Sequence, residues 1–529
     1  MRYRISAEKE CDIVVLGGGG GGMVAAARAA SISGNRVIVL EKTGHTGGAA
    51  IYASAHRTFR SKWQKDRGVP DVMDQFIIDG MDRTLWRLDP RLVGNICRAT
   101  GEFFDWFMEV GEAAKDQFEV GFYVFDGPNG PLGPLLKGSR EHWGTGQLFM
   151  STMLNVCRKR GVEVLTRHKV VDVEVKKGKI TAVIAETKDS GYLRIACKAC
   201  ILATGSWIRN KEVVEKICPK YLEAKVDIGF SAHCNPNYTG DGIPLAKKAG
   251  AFLDYDSFCL RLMGPMSGKT AARTSVVMQN MGYSPYTIFV NLNGKRWCCE
   301  APQRRMGIIN SGYALLEQPQ AVSFAIFDEN NLAAAIKESK EPHSEWGGFL
   351  GNPKFPETMD AVYADLARGI GVSNPGHSAL AYKAATLQEL AKKIGVDGKA
   401  LKETVANYNA FCEAGMDPDF FKPARNLVPL VKPPFYAVKG PLGTDGAFGG
   451  VRVNAEMQAY KEGGGLVEGL YVVGDFASGR HIVLGGGKEQ VINDSAWAFA
   501  GGFIAGSSAC KYLEQAHGSK VSKAGKCSA

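Results

Sequence analysis

The stretch DIVVLGGGGGGMVAAARAASISGNRVIVLE, residues 12–41, decides the fold. Residues 12–16 form an almost continuously apolar run, which is typical of a buried parallel strand. Six glycines follow, then an Ala-rich helical stretch over 23–31 and a second apolar strand over 36–40. A strand, a glycine turn, a helix and a second strand in this order predict the opening βαβ unit of a dinucleotide-binding sheet.

The glycine turn has the spacing Gly17-x-Gly19-x-x-Gly22. In such a turn the first glycine permits the tight bend, the second lets the backbone approach a pyrophosphate, and the third allows close helix–strand packing. The helix N-terminus adds N–H groups and the positive end of a dipole. Glu41 ends the second strand, where an acid binds ribose hydroxyls and disfavours a 2′-phosphate. These four residues are therefore predicted to bind a dinucleotide.

Further elements can be predicted from the apolar periodicity downstream. In chain order they are strands over 162–174, 179–186 and 199–203, helices over 387–394 and 398–414, a strand followed by glycine over 469–475, and a small-residue helix over 496–513. Between about 260 and 440 the chain has more proline and scattered aromatic residues. This change in composition indicates a second domain inserted into the first, whose sheet closes when the strand at 469 rejoins it.

Three later segments favour FAD over NAD. Thr46-Gly47-Gly48 can approach the diphosphate and the flavin, and Thr204-Gly205 ends a strand near the cofactor. Gly474-Asp475 follows a late strand and supplies an acid for the ribityl or pyrophosphate region. We therefore expect these three segments to bind FAD together with the glycine turn.

The predicted fold class is α/β. A Rossmann-like FAD-binding domain of the glutathione reductase type is expected over 1–262 plus 441–515. An α+β capping domain is expected over 263–440, inserted between the two halves, and a flexible tail over 516–529. The active site is expected where the cap meets the flavin.

Bulk composition restricts the class of protein. The chain has 529 residues and a formal charge of +10, but its 64 Lys and Arg residues form no basic stripe, so we expect no nucleic-acid binding. Thirteen cysteines without a second CxxC pair indicate reduced thiols and no zinc site. A polar N-terminus and the lack of a long apolar run predict neither a signal peptide nor a membrane span, so the expected location is the cytoplasm.

Several motifs together resemble the fumarate reductase/succinate dehydrogenase flavoprotein superfamily. They are the glycine turn, Glu41-Lys42, Thr46-Gly47-Gly48, ILATG at 201–205, TGDG at 239–242 and GLYVVGD at 469–475. Within that superfamily the chain is similar to soluble fumarate reductases and 3-ketosteroid dehydrogenases, from about residue 10 to residue 512. The resemblance implies FAD and adds Lys42, Asp241, Gln490 and Val491 to the expected cofactor-binding residues.

The resemblance also implies that FAD is bound without a covalent link. Members from membrane complexes carry a flavin-linked histidine just after the Gly-Gly segment, and the matching position here is Ala49. His45 lies nearby but one turn too early, and we interpret it as a loop residue.

The stretch VNLNGKRWCCE, residues 290–300, is similar to the family's Val-Asn-x-x-Gly-x-Arg-Phe-x-Asn-Glu. In fumarate reductases the arginine four residues after that glutamate is the proton donor, which implies Arg304 here, with Arg305 as the alternative. Free arginine has a pKa above about 12. Against a buried carbanion-like intermediate the proton transfer is easier, and the positive charge stabilises the developing enolate.

Two departures from the family argue against a small dicarboxylate substrate. Fumarate reductases bind dicarboxylates with a His-Thr pair before Gly-Gly-Val and an Asn-Arg pair before Leu-Gly-Gly. Here the two segments read GTDGAFGGV at 443–451 and HIVLGGG at 481–487. Gln279 and Gly282 stand where the family's proton relay would lie.

The stretch PPFYAVKG, residues 433–440, instead looks like the ketosteroid dehydrogenase segment. There a tyrosine hydroxyl and a glycine N–H four residues later polarise the substrate's ketone, and Tyr436 and Gly440 have that spacing. A packed core aromatic remains an equal interpretation of Tyr436. Aromatic and apolar side chains would suit a broad apolar pocket: Tyr283, Tyr286, Trp297, Phe448 and Met266.

The predicted function is an FAD-dependent oxidoreductase acting on CH–CH bonds. It would reduce an activated C=C bond of a bulky, apolar carbonyl compound, such as a steroid or a flavonoid-like molecule, with hydride from the flavin and a proton from Arg304. Electrons are expected from a diffusible donor or a partner protein. The alternatives are a 3-ketosteroid-type dehydrogenase that uses Tyr436 or another tyrosine as base, and a flavin-bearing RNA-binding or scaffold protein.

Overall fold

The architecture is described from a computed structural model of the chain. The described residues are 3–32, 34–53, 56–111, 118–121, 133–136, 145–187, 189, 191–223, 236–264, 274–282, 284–301, 311–339, 358–370, 380–479, 481–484, 487–490 and 494–524.

Strands and helices are interspersed along the chain, with a long run of strands before the C-terminal helix. The strands are β1 (Ile5–Glu10), β2 (Ile13–Leu16), β3 (Val37–Glu41), β4 (Phe118–Gly121), β5 (Gly133–Leu136), β6 (Glu163–Thr166), β7 (Lys169–Lys176), β8 (Lys179–Glu186), β9 (Tyr192–Ala196), β10 (Ala199–Leu202), β11 (Cys259–Met263), β12 (Ile288–Asn291), β13 (Val322–Phe327), β14 (Ala381–Ala384), β15 (Phe435–Pro441), β16 (Gly443–Phe448), β17 (Val451–Arg452), β18 (Gln458–Tyr460), β19 (Leu466–Val472), β20 (Ala477–Ser478), β21 (His481–Leu484) and β22 (Gly487–Gln490).

The helices are α1 (Gly20–Ile32), α2 (Lys62–Lys65), α3 (Met73–Arg83), α4 (Pro90–Val110), α5 (Thr145–Lys159), α6 (Lys211–Ile217), α7 (Pro219–Glu223), α8 (Gly242–Lys248), α9 (Val276–Met281), α10 (Gly312–Leu316), α11 (Glu329–Ser339), α12 (Met359–Gly369), α13 (Leu387–Ile394), α14 (Gly398–Ala414) and α15 (Asp494–Ala524). The predicted helices over 387–394 and 398–414 are confirmed with the same bounds.

The first sheet has the strand order β18-β19-β10-β2-β3-β6, and its pairings from β19 to β6 are all parallel. β2 and β10 are fully buried, as expected for strands covered on both faces. β19, which lies more than 250 residues after β10 in the sequence, pairs directly with it. The α/β fold class is confirmed, and so is the expectation that the strand near residue 469 rejoins the first sheet.

A second sheet packs against the first sheet. Its strands run in the order β1-β9-β8-β7, and β7 and β8 form a hairpin around the turn at Lys177 and Gly178. The strand predicted over 199–203 is β10, and Cys197 and Lys198 connect it to the preceding strand β9. This connection allows the chain to leave one sheet and enter the other.

The third large sheet belongs to the inserted region and has the order β12-β13-β15-β14, all antiparallel. Each face of this sheet has its own apolar core. One core contains Phe327, Tyr436 and side chains of α9, α11 and α12, and the other contains Tyr408 and side chains of α13 and α14. The buried members of both cores fall between residues 277 and 438. The domain boundaries at 262/263 and 440/441 stay a prediction.

The C-terminal helix α15 packs along α1, the helix that begins in the glycine turn. A Cβ on Gly502 would lie 2.3 Å from the carbonyl oxygen of Gly21, and one on Gly506 would lie 2.5 Å from that of Ala25. α15 is assigned as a helix to Ala524, whereas the sequence predicted a helix ending at 513 and a flexible tail from 516.

Two absences concern the described part of the chain. None of its helices is both long enough and apolar enough to cross a membrane. None of its groups of His, Cys, Asp and Glu side chains could hold a metal ion.

Replacing Gly502 tests the contact between α1 and α15. Gly502→Ala should lower the free energy of unfolding by about 1–3 kcal/mol, because the new methyl group meets backbone that cannot give way. Gly501→Ala is the matched control. Its Cβ would lie 3.2 Å from the flexible end of Met457, and alanine favours a helix, so its stability should stay within about 1 kcal/mol of the unchanged protein. Denaturant unfolding measures both, and equal stability losses would contradict the packing.

Candidate FAD and active site

The glycine turn between β2 and α1 is shaped by backbone contacts. Gly17 has a φ of 115°, and a Cβ on it would lie 2.2 Å from the carbonyl oxygen of Ala203. A Cβ on Gly22 would lie 2.0 Å from the carbonyl oxygen of Gly17. At Gly19 a Cβ would meet no atom within 4 Å. The first and third glycines therefore allow close packing, while the second borders open space where a diphosphate can approach.

Glu41 is held against this turn from the end of β3. Its Oε2 accepts a hydrogen bond from the Gly18 N–H at 2.9 Å, and its Oε1 accepts one from the Thr43 N–H at 2.8 Å. The carboxylate is half-buried. It thus lies beside the turn, where its oxygens can still accept hydrogen bonds from the hydroxyls of a ribose.

The segment Thr46-Gly47-Gly48 lies over the glycine turn. The Gly47 N–H donates to the Gly18 carbonyl at 2.8 Å, and Gly19 and Gly47 form a parallel bridge. A Cβ on Gly48 would lie 3.2 Å from the Cα of Gly19. Two segments predicted separately to approach the diphosphate are therefore in direct backbone contact.

Two more predicted segments follow neighbouring parallel strands, β10 and β19. Because the carboxyl ends of parallel strands share one edge, Thr204-Gly205 and Gly474-Asp475 lie at the same end of the sheet as the glycine turn. Among the described residues, Thr204 Oγ1 is buried without a hydrogen-bond partner. A Cβ on Gly474 would meet no atom within 4 Å.

This edge of the sheet has two features that a bound cofactor would explain. A bound phosphorylated cofactor would give the buried Thr204 hydroxyl a hydrogen-bond partner. It would also occupy the open space at Gly19 and at Gly474. The residues at this edge of the sheet fit FAD.

Lys42 and Asp241, both predicted to contact the cofactor, are paired with each other. Lys42 Nζ donates to Asp241 Oδ2 at 2.6 Å and to Thr239 Oγ1 at 3.1 Å. Burial acts to raise the pKa of Asp241, but the hydrogen bond and charge of Lys42 outweigh it, so this pKa is lowered. The pair fixes the end of β3 to the start of α8, and a direct contact with FAD stays a prediction.

The remaining predicted cofactor residues are only partly described. Gln490 ends β22 and is the register partner of His481, while Val491 lies outside the described residues. The carbonyl oxygen of Asp475 accepts the Gly449 N–H at 3.1 Å. This bond brings the strand that carries Phe448 to the cofactor end of the sheet.

Arg304, its alternative Arg305, and the pocket candidates Tyr283 and Met266 lie outside the described residues. Described residues on either side of the stretch 302–310, which contains the two arginines, are bonded within the structure. Before it, Glu300 is buried in the cap, where its Oε1 accepts the Phe289 N–H at 3.1 Å. After it, the Tyr313 hydroxyl donates to the Leu260 carbonyl of β11 at 2.9 Å.

Tyr436 is in the core of the cap. Its side chain is 1% exposed and stacks on Phe327, and its hydroxyl donates to Glu329 Oε1 at 2.9 Å. Burial, and then the Glu329 carboxylate, raise the pKa of Tyr436.

Gly440 lies on the same strand about 13 Å further along, at ~3.3 Å per residue. Its register partner on β13 is Ser323, whereas the partner of Tyr436 is Phe327. The hydroxyl of Tyr436 reaches Glu329, which follows Phe327 and therefore lies away from Gly440. This placement favours a packing role for Tyr436 and does not bring the two residues to one substrate oxygen.

The aromatic pocket candidates are divided between two places. Phe448 is fully buried on β16, next to Gly449, and so borders the cofactor end. Tyr286 is half-buried in the cap, where burial and then Glu338 of α11 raise its pKa to about 12. Trp297 donates from Nε1 to Ser323 Oγ at 2.9 Å, between the two regions.

The sequence did not point to two sets of residues that shape this region. Ser206 and Trp207 follow the cofactor segment at Thr204 and donate to the Ala447 and Gly449 carbonyls at 2.7 Å and 3.1 Å. A buried charge cluster adjoins Glu300 and includes Asp417 and Lys422. The acid at 417 and the lysine at 422 lie more than 100 residues from Glu300, so no local spacing connects them.

Comparison with known proteins places the chain among flavoproteins. The family model for the FAD binding domain matches residues 12–487. Fumarate reductase (cytochrome) of Shewanella frigidimarina is 27% identical over 509 residues, which cover 95% of this chain and 78% of that protein. Vinyl phenol reductase of Lactiplantibacillus plantarum is 25% identical over 486 residues, which cover 88% of this chain and 90% of that protein.

Among solved structures, the fold is similar to 3-ketosteroid-delta4-(5alpha)-dehydrogenase from Rhodococcus jostii. The TM-score is 0.66 at 21% identity, and the match covers 96% of this chain and all (100%) of that chain. The predicted resemblance and the prediction of an FAD-dependent oxidoreductase are confirmed. This chain belongs to the FAD binding domain family.

Proposed function

We propose that this protein reduces an activated C=C bond in a bulky, apolar carbonyl compound, such as a steroid or a flavonoid-like molecule. FAD, when bound, supplies the hydride. The protein's own contribution is to hold the substrate beside the cofactor and to deliver a proton from Arg304. The observation that carries the proposal is the fully buried, apolar Phe448 at the cofactor end of the sheet, next to Gly449, which is bonded to Asp475.

Arg304 lies outside the described residues, so its role is proposed from the resemblance of residues 290–300 to the family's stretch, in which the proton donor follows the glutamate by four residues. The described residue Glu300 accepts the Phe289 N–H of the cap sheet. Tyr313 is bonded to β11, which pairs with β16, the strand bonded to Ser206 next to the cofactor segment.

An arginine in this position can act in two ways. Its charge stabilises the enolate that develops on the substrate carbonyl, and it can give a proton to the α-carbon in a site without bulk water. Arg305 is the competing candidate for the same role. Substitution of each arginine by lysine separates the two candidates.

The substrate class is inferred from what borders the cofactor. Phe448 is a fully buried apolar side chain at this end, in a segment that lacks the His-Thr pair with which fumarate reductases bind a carboxylate. The similarity to vinyl phenol reductase along 90% of that protein supports an aromatic, non-dicarboxylate substrate. An apolar pocket with few polar groups suits such a molecule.

The desaturating reaction of a 3-ketosteroid-type dehydrogenase is the second candidate. The fold similarity to such an enzyme keeps it under consideration. A catalytic Tyr436 would need its hydroxyl free for the substrate, whereas that hydroxyl donates to Glu329. We therefore favour reduction.

We further propose that FAD is bound non-covalently, because Ala49 has no side-chain atom that could bond to it. His45 is exposed, and its carbonyl oxygen accepts the Thr43 hydroxyl at 2.8 Å, in keeping with a loop role. The electron donor is proposed to be a diffusible molecule or a partner protein. The proposed location is the cytoplasm, on the basis of the thirteen cysteines.

The attachment of FAD can be tested by denaturation. Acid or heat should release intact FAD into the supernatant of the precipitated protein, because no covalent ligand is predicted at Ala49. Absorbance and mass spectrometry of both fractions measure this. Flavin that stays on the denatured chain would contradict non-covalent binding.

Glu41→Ala should weaken FAD binding by about 1.5–3 kcal/mol, as expected for lost hydrogen bonds to a charged group. The substitution removes the acceptor for the ribose and also the bond that holds Gly18. Glu163→Ala on the neighbouring strand β6 is the control, since that carboxylate pairs with Lys9 at the surface. Titration of the apoprotein with FAD measures both, and an unchanged affinity of Glu41→Ala would mean that the first βαβ unit does not bind the ribose.

Arg304→Lys should retain FAD and the fold but reduce turnover of the C=C bond by on the order of 10²-fold or more, because a positioned proton donor is lost. Lysine keeps the charge without the planar fork. Reduction of the flavin by dithionite should be nearly unchanged, since it needs no proton delivered to substrate. Rapid mixing of the oxidised protein with dithionite measures flavin reduction. Rapid mixing of the reduced protein with a panel of enones (a steroid enone, a chalcone and benzylideneacetone) measures reoxidation, so the two half-reactions are followed separately.

The matching variants Arg305→Lys and Tyr436→Phe serve as comparisons. Both should keep the oxidative half-reaction if Arg304 is the acid. Normal turnover in Arg304→Lys with loss in Arg305→Lys would reassign the proton donor. Loss in Tyr436→Phe alone would favour the dehydrogenase-like arrangement.

A further inference from the structure

A cavity of about 610 Å³ lies between the start of α4 and the hairpin of β18 and β19. Ser478 and Gly479, which follow the predicted cofactor segment Gly474-Asp475, form part of its wall, but none of its lining residues is among those predicted to bind FAD. Pockets that hold small molecules and cofactors typically measure about 300–1,000 Å³. The cavity therefore has the size of a ligand site that the proposed function does not use.

Part of the cavity wall is apolar and aromatic. Leu88 and Leu92 are buried there, and the rings of Phe252 and Tyr460 are half-buried. Aromatic rings offer flat faces on which the base of a nucleotide can stack. This part of the wall suits a planar ring.

A carboxylate lies at the deep end of the cavity. Asp254 is the one buried residue among the charged residues of the lining, and its side chain is 12% exposed. Its Oδ2 accepts the Ser478 hydroxyl at 3.1 Å and Arg452 Nε at 3.3 Å. None of the described residues donates a hydrogen bond to its Oδ1. Asp254 can therefore accept a bond from a sugar hydroxyl, as Glu41 is expected to do for FAD.

The mouth of the cavity carries an excess of positive charge. Arg87 and Lys461 are exposed, and neither side chain has a hydrogen bond or an ion pair with another described residue. Asp89 is already paired with Arg91 at 3.2 Å, so Asp256 is the one carboxylate of the mouth that remains unpaired within the described part of the chain. Two unpaired cations against one unpaired carboxylate favour an anion, and arginine and lysine are the residues that bind phosphate groups.

Arg87 is presented by a strained turn. The two residues before it, Leu85 and Trp86, have φ angles of 53° and 55° and are 67% and 56% exposed. The turn is held by the Trp86 N–H, which donates to the Met81 carbonyl at 2.8 Å, and by the indole N–H, which donates to Asp82 Oδ1 at 2.7 Å. Bulky residues rarely adopt this backbone region, and strain of this kind is concentrated at functional sites.

We propose that this cavity binds a nucleoside diphosphate. The base packs against Phe252 and Tyr460, the sugar hydroxyls donate to Asp254, and the diphosphate lies on Arg87 and Lys461. The cations alone would suit any anion, and the acid with the aromatic wall would suit an uncharged nucleoside, whereas their combination in one cavity suits the nucleotide. The site is additional to the FAD site, and none of its residues has a part in the proposed reaction.

The experiment titrates the FAD-loaded protein with ADP, with adenosine and with inorganic pyrophosphate by calorimetry at low salt. The variants are Arg87→Gln, Lys461→Gln and Asp254→Asn. Lys402→Gln is the matched control, because Lys402 is an exposed lysine on α14 of the cap, away from the cavity. Flavin fluorescence, followed in parallel, detects any FAD that a nucleotide displaces.

ADP should bind at one site without release of FAD, and at least about 10-fold more tightly than adenosine, because hydrogen bonds to charged groups are the stronger ones. Arg87→Gln and Lys461→Gln should each weaken ADP binding by about 5-fold or more and leave adenosine binding unchanged. Asp254→Asn should weaken adenosine and ADP but not pyrophosphate. Lys402→Gln should bind all three as the wild type does.

Four outcomes would overturn the inference: no saturable ADP binding, ADP binding only with release of FAD, equal affinities for ADP and adenosine, or the same loss of ADP affinity in Lys402→Gln. If Asp254→Asn does not fold, the exposed positions Arg87 and Lys461 decide, and unchanged ADP affinity in both of their variants would overturn it. Because every readout is binding to the FAD-loaded protein, a negative result leaves the proposed reaction untouched. Failure of any enone to reoxidise the flavin would likewise leave this site standing.

Discussion

Direct contact between backbone segments, with no side chain between them, is the constraint on which the cofactor site depends. Gly17 packs on the carbonyl of Ala203, and Gly47 is bonded to the carbonyl of Gly18. These contacts bring together the ends of β2 and β10 and the loop after β3. A side chain at Gly17 would separate the strand ends and close the space in which a diphosphate can lie.

Close backbone packing also involves the far end of the chain. α15 approaches α1 closely because Gly502 faces the backbone of Gly21, and β19 joins the sheet beside β10. The cofactor site therefore forms only when residues near both ends of the sequence have met. The region between them is free to form a separate sheet with its own cores.

Electrostatics has different tasks in the two regions. Around the glycine turn, one carboxylate, Glu41, binds backbone N–H groups and remains half-exposed. In the cap, the buried Glu300 carboxylate is paired with Arg296 and Lys422. Such pairing is what makes the burial of these charges tolerable.

The sequence predicts most of the cofactor site because its signals are local. A strand, a glycine turn and an acid at fixed spacing have few alternative structures, so the positions of Gly17 and Glu41 could be inferred without coordinates. Long helices with regular periodicity, such as α14, were equally accessible. The return of β19 to the sheet was predicted because residues 469–475 read as a strand followed by glycine.

The rest depends on contacts between distant residues. Tyr436 has the spacing of a substrate-binding tyrosine, yet the strand directs its hydroxyl to Glu329, which no local motif reveals. Lys42 and Asp241 were each predicted to bind the cofactor, and their mutual ion pair required the fold to be seen. Lys422 could not be connected with Glu300 because 122 positions separate them in the sequence.

Reoxidation of the reduced wild-type flavin under anaerobic conditions tests the central claim most directly. The FAD-loaded protein is reduced with dithionite, freed of excess reductant, and mixed with either the enone panel or fumarate while the flavin absorbance is followed. Rapid reoxidation by at least one bulky enone, with little or none by fumarate, is the predicted result. Rapid reoxidation by fumarate alone would contradict it. So would a reduced flavin that no enone reoxidises, together with an oxidised flavin that saturated ketones reduce.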